Sequence, residues 1–401
     1  MEVLAPAGSK EAFKAALAGG ADAVYLGGKM FGARRFAQNF SDQEMEGAVK
    51  LAHSRGVKVY VTVNVLIKER ELPLAFDYLD LLDRIGVDAV IVQDRGLARL
   101  ILDSYGIPVH ASTQMGIHSP EDALWAEGMG MERVILAREL SLEDVERVRR
   151  ATNVGIEVFI HGALCYCFSG QCLFSSVLGG RSGNRGMCAQ PCRKRYTLGR
   201  DTAYMLSTAD LFSVDALPRL IEMGVDAIKI EGRLRSPVYV YLASKVYKAA
   251  VERAVRGEEE LVTPREREML SVAFNRGSGP GYLLTDNVML VCGYQDLNLL
   301  LGEAAEEWHR GDAHLPQCPG LVPGPHRRDL HLPVQLDLGD SALDRGSVRS
   351  EQAEELPSAD MGVGSNVKAA VLLGDAVQLR TIAGAAPYHG DGRAALPDQP
   401  L

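Results

Sequence analysis

The sequence has 401 residues, of which 47% are hydrophobic, and it carries a formal net charge of −9. A chain of this length can bury a large core, in one big domain or two. The acidic balance argues against a surface coated with basic patches for non-specific nucleic-acid binding, but it leaves room for a local basic site. The chain begins with no basic and apolar leader and contains no run of about 18 apolar residues, so we expect no membrane span. The expected location is the cytoplasm, where thiols stay reduced.

A short phrase recurs along the chain. It reads GGADAVYLGG from Gly19, IGVDAVIVQD from Ile85 and MGVDAIKIEG from Met223. In each copy a glycine closes a helix, an aspartate turns the chain, and an apolar run of strand character follows. These copies are the αβ junctions of one repeating unit.

Apolar runs predict eight strands in the first 230 residues. Amphipathic stretches lie between most of them, and two begin with a capping-box sequence, at Ser41 and at Ser141. Short apolar strands that alternate with helices predict a parallel α/β sheet covered on both faces, and eight units favour a closed, TIM-like (β/α)8 barrel. A doubly wound open sheet is the alternative. The predicted strands are Glu2–Ala5, Ala23–Leu26, Lys58–Val63, Ala89–Val92, Val109–Ser112, Arg133–Ala137, Glu157–Ile160 and Ala227–Ile230.

The sequence divides into three predicted segments. Residues 1–235 form the barrel, residues 236–300 a short helical extension, and residues 301–401 an irregular C-terminal tail. Prolines accumulate in the tail, and neither a helical nor a strand period persists there. The tail is therefore predicted to be disordered or atypical, and an altered reading frame is the other interpretation.

Polar residues follow the predicted strands. In a barrel of this kind, functional side chains lie just past the carboxyl ends of the strands. We expect about half of the set to line a site, while the others cap helices or form ion pairs at the rim. The set comprises Asn64, Gln93, Asp94, His110, Gln114, Arg138, Glu139, His161, Lys229, Glu231 and Arg233.

Five of the seven cysteines lie in the loop that follows the seventh predicted strand. Four of them have the spacing Cys165-x6-Cys172-x15-Cys188-x3-Cys192, and Cys167 is an extra one. Zinc ribbons usually use Cys-x2-Cys or Cys-x4-Cys knuckles, and neither spacing fits here, whereas irregular spacing with many glycines suits an iron–sulfur cluster. The alternative is that the cysteines are buried and inert. Five thiols on one polar loop make this interpretation weaker than a metal site. The sequence therefore predicts a metal site.

The same loop is rich in basic residues, among them Arg181 and Arg185. In an acidic protein, a basic patch beside a metal site indicates an anionic substrate, either RNA phosphate or a small carboxylate. A solvated loop without a ligand is an equally valid interpretation of the patch alone.

Several motifs resemble those of the collagenase-like peptidase family U-32. They are EVFIHGALC from Glu157, GQCLFS from Gly170, LAPAGS from Leu4, and ADAVYLGG, ASTQM, ILARELS, NRGMCAQPCR and IKIEGRLRSPVYV. The resemblance covers about residues 2–285 and implies a TIM-barrel-like catalytic domain. The small β-rich domain expected after it is not recognisable beyond about residue 290.

The resemblance also implies a function. Members of this family include collagenase-like proteases and proteins that hydroxylate tRNA, ribosomal RNA or the ubiquinone ring without dioxygen. Members with a 4Fe-4S cluster hold it with four cysteines, and the motif match assigns that role here to Cys165, Cys172, Cys188 and Cys192. The RNA-hydroxylating type is the most similar, because of the CAQPC motif and the arginine-rich loop.

Three hypotheses about function follow. The first is a hydroxylase of an RNA base or a related ring, with an electron donor as partner. The second is a peptidase, in which Cys165 and His161 could form a catalytic pair. The third is a metal-containing scaffold that acts only with another subunit. For the hydroxylase we predict that His161, Glu231 and Arg233 orient the substrate, and that its binding residues are Asn64, Gln114, Arg138, Arg181, Arg185 and Lys229.

Overall fold

Eight parallel strands close into a barrel in the computed structural model of the protein, which describes residues 1–198, 201–274 and 276–285. The first seven strands pair in sequence order, and β11 pairs with both β7 and β1. The predicted TIM-like barrel is therefore confirmed, and the open sheet is wrong, because no edge is left between the first and last strands. The strands are β1 (Glu2–Pro6), β2 (Ala23–Leu26), β3 (Lys58–Val63), β4 (Ala89–Val92), β5 (Val109–Ala111), β6 (Arg133–Ile135), β7 (Gly155–Ala163), β8 (Tyr196–Leu198), β9 (Asp201–Ala203), β10 (Asp210–Phe212), β11 (Ala227–Ile230) and β12 (Ser278–Gly279).

Helices connect the barrel strands, and α9 packs on α1 and β1 while α10 packs on α9. The two predicted capping boxes are formed, by Ser41 with Glu44 and by Ser141 with Asp144. Within the described ranges, no helix combines the length and the apolar composition that a membrane span requires. The helices are α1 (Lys10–Ala18), α2 (Asp42–His53), α3 (Leu72–Ile85), α4 (Arg95–Ser104), α5 (Pro120–Met129), α6 (Leu142–Ala151), α7 (Phe174–Gly179), α8 (Leu217–Glu222), α9 (Pro237–Val255) and α10 (Pro264–Ala273).

Two of the predicted segments extend past the described part of the chain. The helical extension, residues 236–300, is described only as far as residue 285, apart from residue 275. The irregular tail, residues 301–401, lies outside the described residues. The division into these segments therefore stays a prediction.

The repeated sequence motif fixes the register between neighbouring strands. The glycine ends the preceding helix, as Gly86 does for α3 with a φ of 72°, a left-handed conformation that glycine adopts at little steric cost. The aspartate then accepts a hydrogen bond from the backbone N–H at the start of the adjacent strand. These bonds, at 2.7–3.0 Å, run from Val3 to Asp22, from Val59 to Asp88 and from Ile156 to Asp226.

The barrel interior is apolar in one part and charged in another. Tyr25, Ile91, Ile135 and Phe159 belong to an apolar cluster that is separate from the larger core around it. A second group of side chains forms a continuous ionic network with N–O distances of 2.7–3.3 Å, running from Glu2 through Arg133 and Glu157 to Lys229. Because buried charges need partners, this network constrains which side chains the interior accepts.

Replacement of Glu157 should destabilise the protein strongly. Its carboxylate is buried and contacts both Arg133 and Lys229, so Glu157→Ala leaves two buried cations short of a partner. We expect a loss of about 3–5 kcal/mol in the free energy of unfolding, measured by denaturant titration. Asp103→Ala, which breaks an exposed pair with Arg99 at 2.7 Å, is the control and should hardly move the midpoint. Equal effects of the two substitutions would contradict the structural role of the network.

Candidate functional site

A cavity of about 400 Å³ opens at the carboxyl ends of the barrel strands. Its walls come from the loops that follow β2, β3, β5, β6, β7 and β11. This is the end at which barrels of this architecture carry their functional sites. Ten of the thirteen residues predicted for the site line it: Asn64, Gln114, Arg138, Lys229, Glu231, Arg233, Cys165, Cys172, Cys188 and Cys192.

Glu231, just past the end of β11, supplies the cavity wall with a carboxylate that is 14% exposed. Its Oε1 lies 2.9 Å from a guanidinium nitrogen of Arg34, and the hydroxyl of Tyr25 donates to its Oε2 at 3.4 Å. Burial raises the pKa of this carboxyl, but Arg34, Arg138 and Arg233 outweigh it and lower the pKa to about 2. Glu231 is therefore a charged hydrogen-bond acceptor at neutral pH.

Two buried cations lie beside this carboxylate. The Nζ of Lys229 is 2.7 Å from Oε1 of Glu157, and burial lowers the pKa of Lys229 although Glu157 opposes the shift. Arg233 donates to Oγ1 of Thr62 at 2.8 Å and to Oδ1 of Asn39 at 2.7 Å. Burial lowers the pKa of Arg233 to about 10, so its guanidinium stays charged at neutral pH.

The cavity wall is strongly cationic. Among the described lining residues, seven basic side chains stand against one carboxylate, although the whole chain is acidic. The Nε atoms of Arg138 and Arg233 are also buried and have no hydrogen-bond partner in the described part of the chain. An unsatisfied buried donor costs about 1–3 kcal/mol, so a ligand that brings oxygen acceptors gains binding energy here.

Four of the cysteines line the cavity, whereas Cys167 does not. They belong to the Cys loop, residues 164–195, and all five of its thiols are free of disulfides. Burial raises the pKa of Cys192 to about 11, and the other three lining thiols add to the rise while Arg193 opposes it. The four lining sulfurs therefore lie within electrostatic reach of one another.

The four lining thiols are the donor type that an iron–sulfur cluster takes. Within residues 1–198, 201–274 and 276–285, no group of three or more His, Cys, Asp or Glu side chains is gathered as one ion would require. The thiolates around a four-iron cluster bond separate iron atoms and so lie farther apart than the ligands of one ion. Cys165, Cys172, Cys188 and Cys192 are the residues that could hold such a cluster.

Buried contacts fix the Cys loop to the barrel. Arg193 is 6% exposed and donates to the carbonyl of Leu164, to both oxygens of Thr208, and to the hydroxyl of Ser207. At the other end of the loop, Gly170 packs so closely that a Cβ there would lie 2.0 Å from the backbone oxygen of Gln114. The chain at Gly170 therefore has no room for a larger residue.

His161, predicted to orient the substrate, lies outside the cavity. In the pairing of β7 with β11, Lys229 faces Phe159 and Ile230 faces His161, so one residue of β7 is extra. Such a bulge breaks the alternation of side chains. The His161 ring consequently packs against α9, with its Nδ1 3.2 Å from the Tyr247 hydroxyl. Burial is the main cause that lowers the pKa of His161 to about 3, and the positive charge of Arg235 lowers it further.

The two arginines predicted from the basic loop also lie outside the cavity lining. Arg185 forms a two-point ion pair with Glu71 at 2.6 and 2.7 Å, which lowers the pKa of that carboxyl to about 2. Arg181 donates from Nε to the carbonyl of Met187 at 3.2 Å and lies over the ring of Phe36. Arg185 thus ties the loop to the barrel, and Arg181 lies beside the cavity rather than in its wall.

Sequence reasoning missed several lining residues, above all Arg34, the ion-pair partner of Glu231. The sequence does indicate that this loop matters, because 14 residues separate the end of β2 from Ser41, the N-cap of α2. Connections this long in a compact domain are usually functional. Tyr25 could have been found from the alternation of β2, since it shares the inward face with Ala23.

The fold and the site define a (β/α)8-barrel protein with a cationic, cysteine-lined cavity at the carboxyl end of its strands. The sequence model of peptidase family U32 matches residues 8–289, which is well over half of the chain. The chain belongs to this family.

Three relatives illustrate the range of named functions. The 23S rRNA 5-hydroxycytidine C2501 synthase of Escherichia coli is 41% identical over 268 residues, covering 65% of this chain and 41% of that protein. The tRNA hydroxylation protein P1 of Bacillus subtilis is 34% identical, with 70% of each protein covered. A collagenase of Porphyromonas gingivalis is 35% identical over 71% of this chain and 73% of its own length. The chain thus matches less than half of the first of these proteins.

Loss of the Arg193 contacts should loosen the Cys loop. Hydrogen bonds from a charged group contribute about 1.5–3 kcal/mol, so Arg193→Gln should speed cleavage of the loop by chymotrypsin about 10- to 150-fold. Lys194→Gln is the matched control, because Lys194 is the exposed neighbour in sequence. Cleavage is followed by mass spectrometry under native conditions. Equal rates for the two variants would show that Arg193 does not hold the loop.

Proposed function

We propose that the protein is an iron–sulfur-dependent enzyme that hydroxylates a base of tRNA or ribosomal RNA without dioxygen. The observation that carries the proposal is that four free thiols and a cationic wall line one cavity. The names of two relatives, a synthase of hydroxycytidine in ribosomal RNA and a tRNA hydroxylation protein, support the substrate class. An RNA substrate also agrees with the cytoplasmic location expected from the cysteine usage.

The reaction is a two-electron oxidation of the base. A ring C–H bond breaks and a C–O bond forms. The oxygen comes either from a donor whose own bond to oxygen breaks and which takes up the two electrons, or from water, in which case two protons are released and a separate acceptor takes up the two electrons. A 4Fe-4S cluster held by the four lining cysteines would carry electrons one at a time and would need an electron-transfer partner.

The residues of the cavity would bind and orient the base. Glu231 is charged at neutral pH and accepts hydrogen bonds, so it suits the amino or imino N–H groups of a base. The unpartnered Nε atoms of Arg138 and Arg233 are donors suited to a base carbonyl or a phosphate oxygen. Phe159 and Ile135, which are apolar residues of the cavity lining, would exclude water from the reacting ring.

A peptidase remains the second candidate, because the collagenase relative is similar over 71% of this chain. The geometry does not favour the predicted Cys–His pair. Cys165 lines the cavity, whereas the His161 ring packs against α9. If the protein is a peptidase, it should hydrolyse casein or collagen, and the hydrolysis should survive Cys188→Ala.

The cluster itself can be tested by purification without oxygen. We expect about four iron and four acid-labile sulfide per chain and a visible absorption band. Cys188→Ala should lose both, because it removes one of the four lining thiols. Cys167→Ala is the matched control, since Cys167 belongs to the same loop but not to the cavity wall, and it should keep the iron. A colourless, iron-free protein with intact thiols would refute the cluster.

The reaction can be tested by mass spectrometry of RNA from cells that contain or lack the protein. Glu231→Gln removes the charge that holds Arg34 and should lower the yield of hydroxylated base about 100-fold, the usual cost of misplacing a reacting group by about 1 Å. Glu266→Gln is the control, because it breaks a comparable pair with Arg253 outside the cavity. Unchanged RNA in the presence of the wild-type, iron-loaded protein would refute the proposed function.

A further inference from the structure

Two phenylalanines at the cavity are largely exposed. Phe36, in the loop after β2, is 59% exposed, and Phe168, in the Cys loop, is 63% exposed. Both line the cavity. Exposed apolar surface that is rimmed by polar residues is typical of a ligand-binding groove. These rings therefore offer apolar faces to an incoming ligand.

Each ring is held by one polar neighbour. The guanidinium of Arg181 lies 4.7 Å from the centroid of the Phe36 ring. The His118 ring lies 5.8 Å from the Phe168 ring. Arg35, the exposed neighbour of Phe36 in sequence, adds a second cation on that side. Surfaces that bind single-stranded nucleic acids combine cations with exposed aromatic faces in this way, because the phosphates meet the cations while the bases stack.

The charge and size of the cavity indicate the occupant. Among the described lining residues, seven basic side chains and one acidic side chain give the cavity an excess of positive charge, which favours a polyanionic ligand. A volume of about 400 Å³ suits a group of small-molecule size, such as one nucleotide, and excludes a double helix. Bases within a duplex are stacked on each other, so only an unpaired or extruded base can stack on a protein ring.

We propose that Phe36 and Phe168 receive an unpaired nucleobase of single-stranded RNA by stacking at the mouth of the cavity. Arg35 and Arg181 lie beside the stacking surface and contact the phosphate backbone. The inference rests on the proposed RNA substrate and extends it, because it specifies single-stranded RNA and names the residues that recognise it.

Binding of a fluorescent single-stranded RNA of about 12 nucleotides to the full-length protein, without oxygen, tests the inference. Phe36→Ala and Phe168→Ala should each weaken binding about 5- to 150-fold, the range for the loss of one stacked base. Phe168→Leu should weaken it similarly because the ring is lost, whereas Phe168→Tyr should bind as the wild type does. Leu178→Ala is the matched control, since Leu178 is 51% exposed in the same loop but does not line the cavity.

A second measurement reports stacking directly. RNA that carries 2-aminopurine should lose fluorescence on binding to the wild type, and less so with Phe168→Ala. Iron and sulfide contents of the variants should match the wild type, which excludes a loss of fold or of the cluster as the cause. The inference is overturned if the alanine variants bind single strands as tightly as the wild type, or if a matched duplex binds equally well.

The two proposals fail separately in these experiments. Hydroxylated RNA in cells, together with unchanged binding by both alanine variants, would overturn the stacking role and leave the reaction intact. Quenching that depends on Phe168, together with unmodified RNA, would support the stacking role and refute the reaction. Binding of the RNA by neither the wild type nor the variants would overturn the inference outright.

Discussion

The pairing of buried charges along the barrel axis is the constraint on which the site depends. Glu157 is buried between Arg133, which also pairs with Glu2, and Lys229, whose ammonium lies 2.7 Å from its carboxylate. Removing a charge from water costs several kcal/mol, which only close partners and good hydrogen bonds offset. Lys229 in turn lies under the cavity, where Glu231 also acts on it. The ionic network inside the barrel thus extends to the cavity lining through Lys229.

The cavity joins two different kinds of wall. The barrel side contributes rigid groups such as Glu231 and Arg233, whose hydrogen bonds fix their orientation. The Cys loop contributes the thiols on a segment of little regular structure, which Arg193 and the tight packing at Gly170 hold in place. Placing reactive thiols on a loop and binding groups on strand ends is a common division in barrels, since loops vary while the scaffold persists.

The sequence was a good guide wherever one local rule decides the outcome. Apolar runs predicted all eight strands, and at three of the junctions an Asp has a hydrogen-bond partner on the adjacent strand. Where a tertiary contact decides the position of a side chain, no local rule applies. The bulge in the pairing of β7 with β11 turns His161 outward, and the ion pair with Glu71 holds Arg185 outside the cavity lining. Both β11 and Glu71 are far in sequence from the residues that they position. Arg34 was missed because its importance depends on Glu231, which is 197 residues away.

The closure of the barrel does not involve the Cys loop. Strands β7 and β11 pair directly, and Asp226 binds the backbone of Ile156, so the two strands meet by their own contacts. The Cys loop and its thiols follow β7 and lie outside this pairing. In small zinc domains, by contrast, binding of the metal and folding are one event. Here the barrel can fold first, and a cluster assembled on the loop would be a late step of maturation, carried out on a finished scaffold.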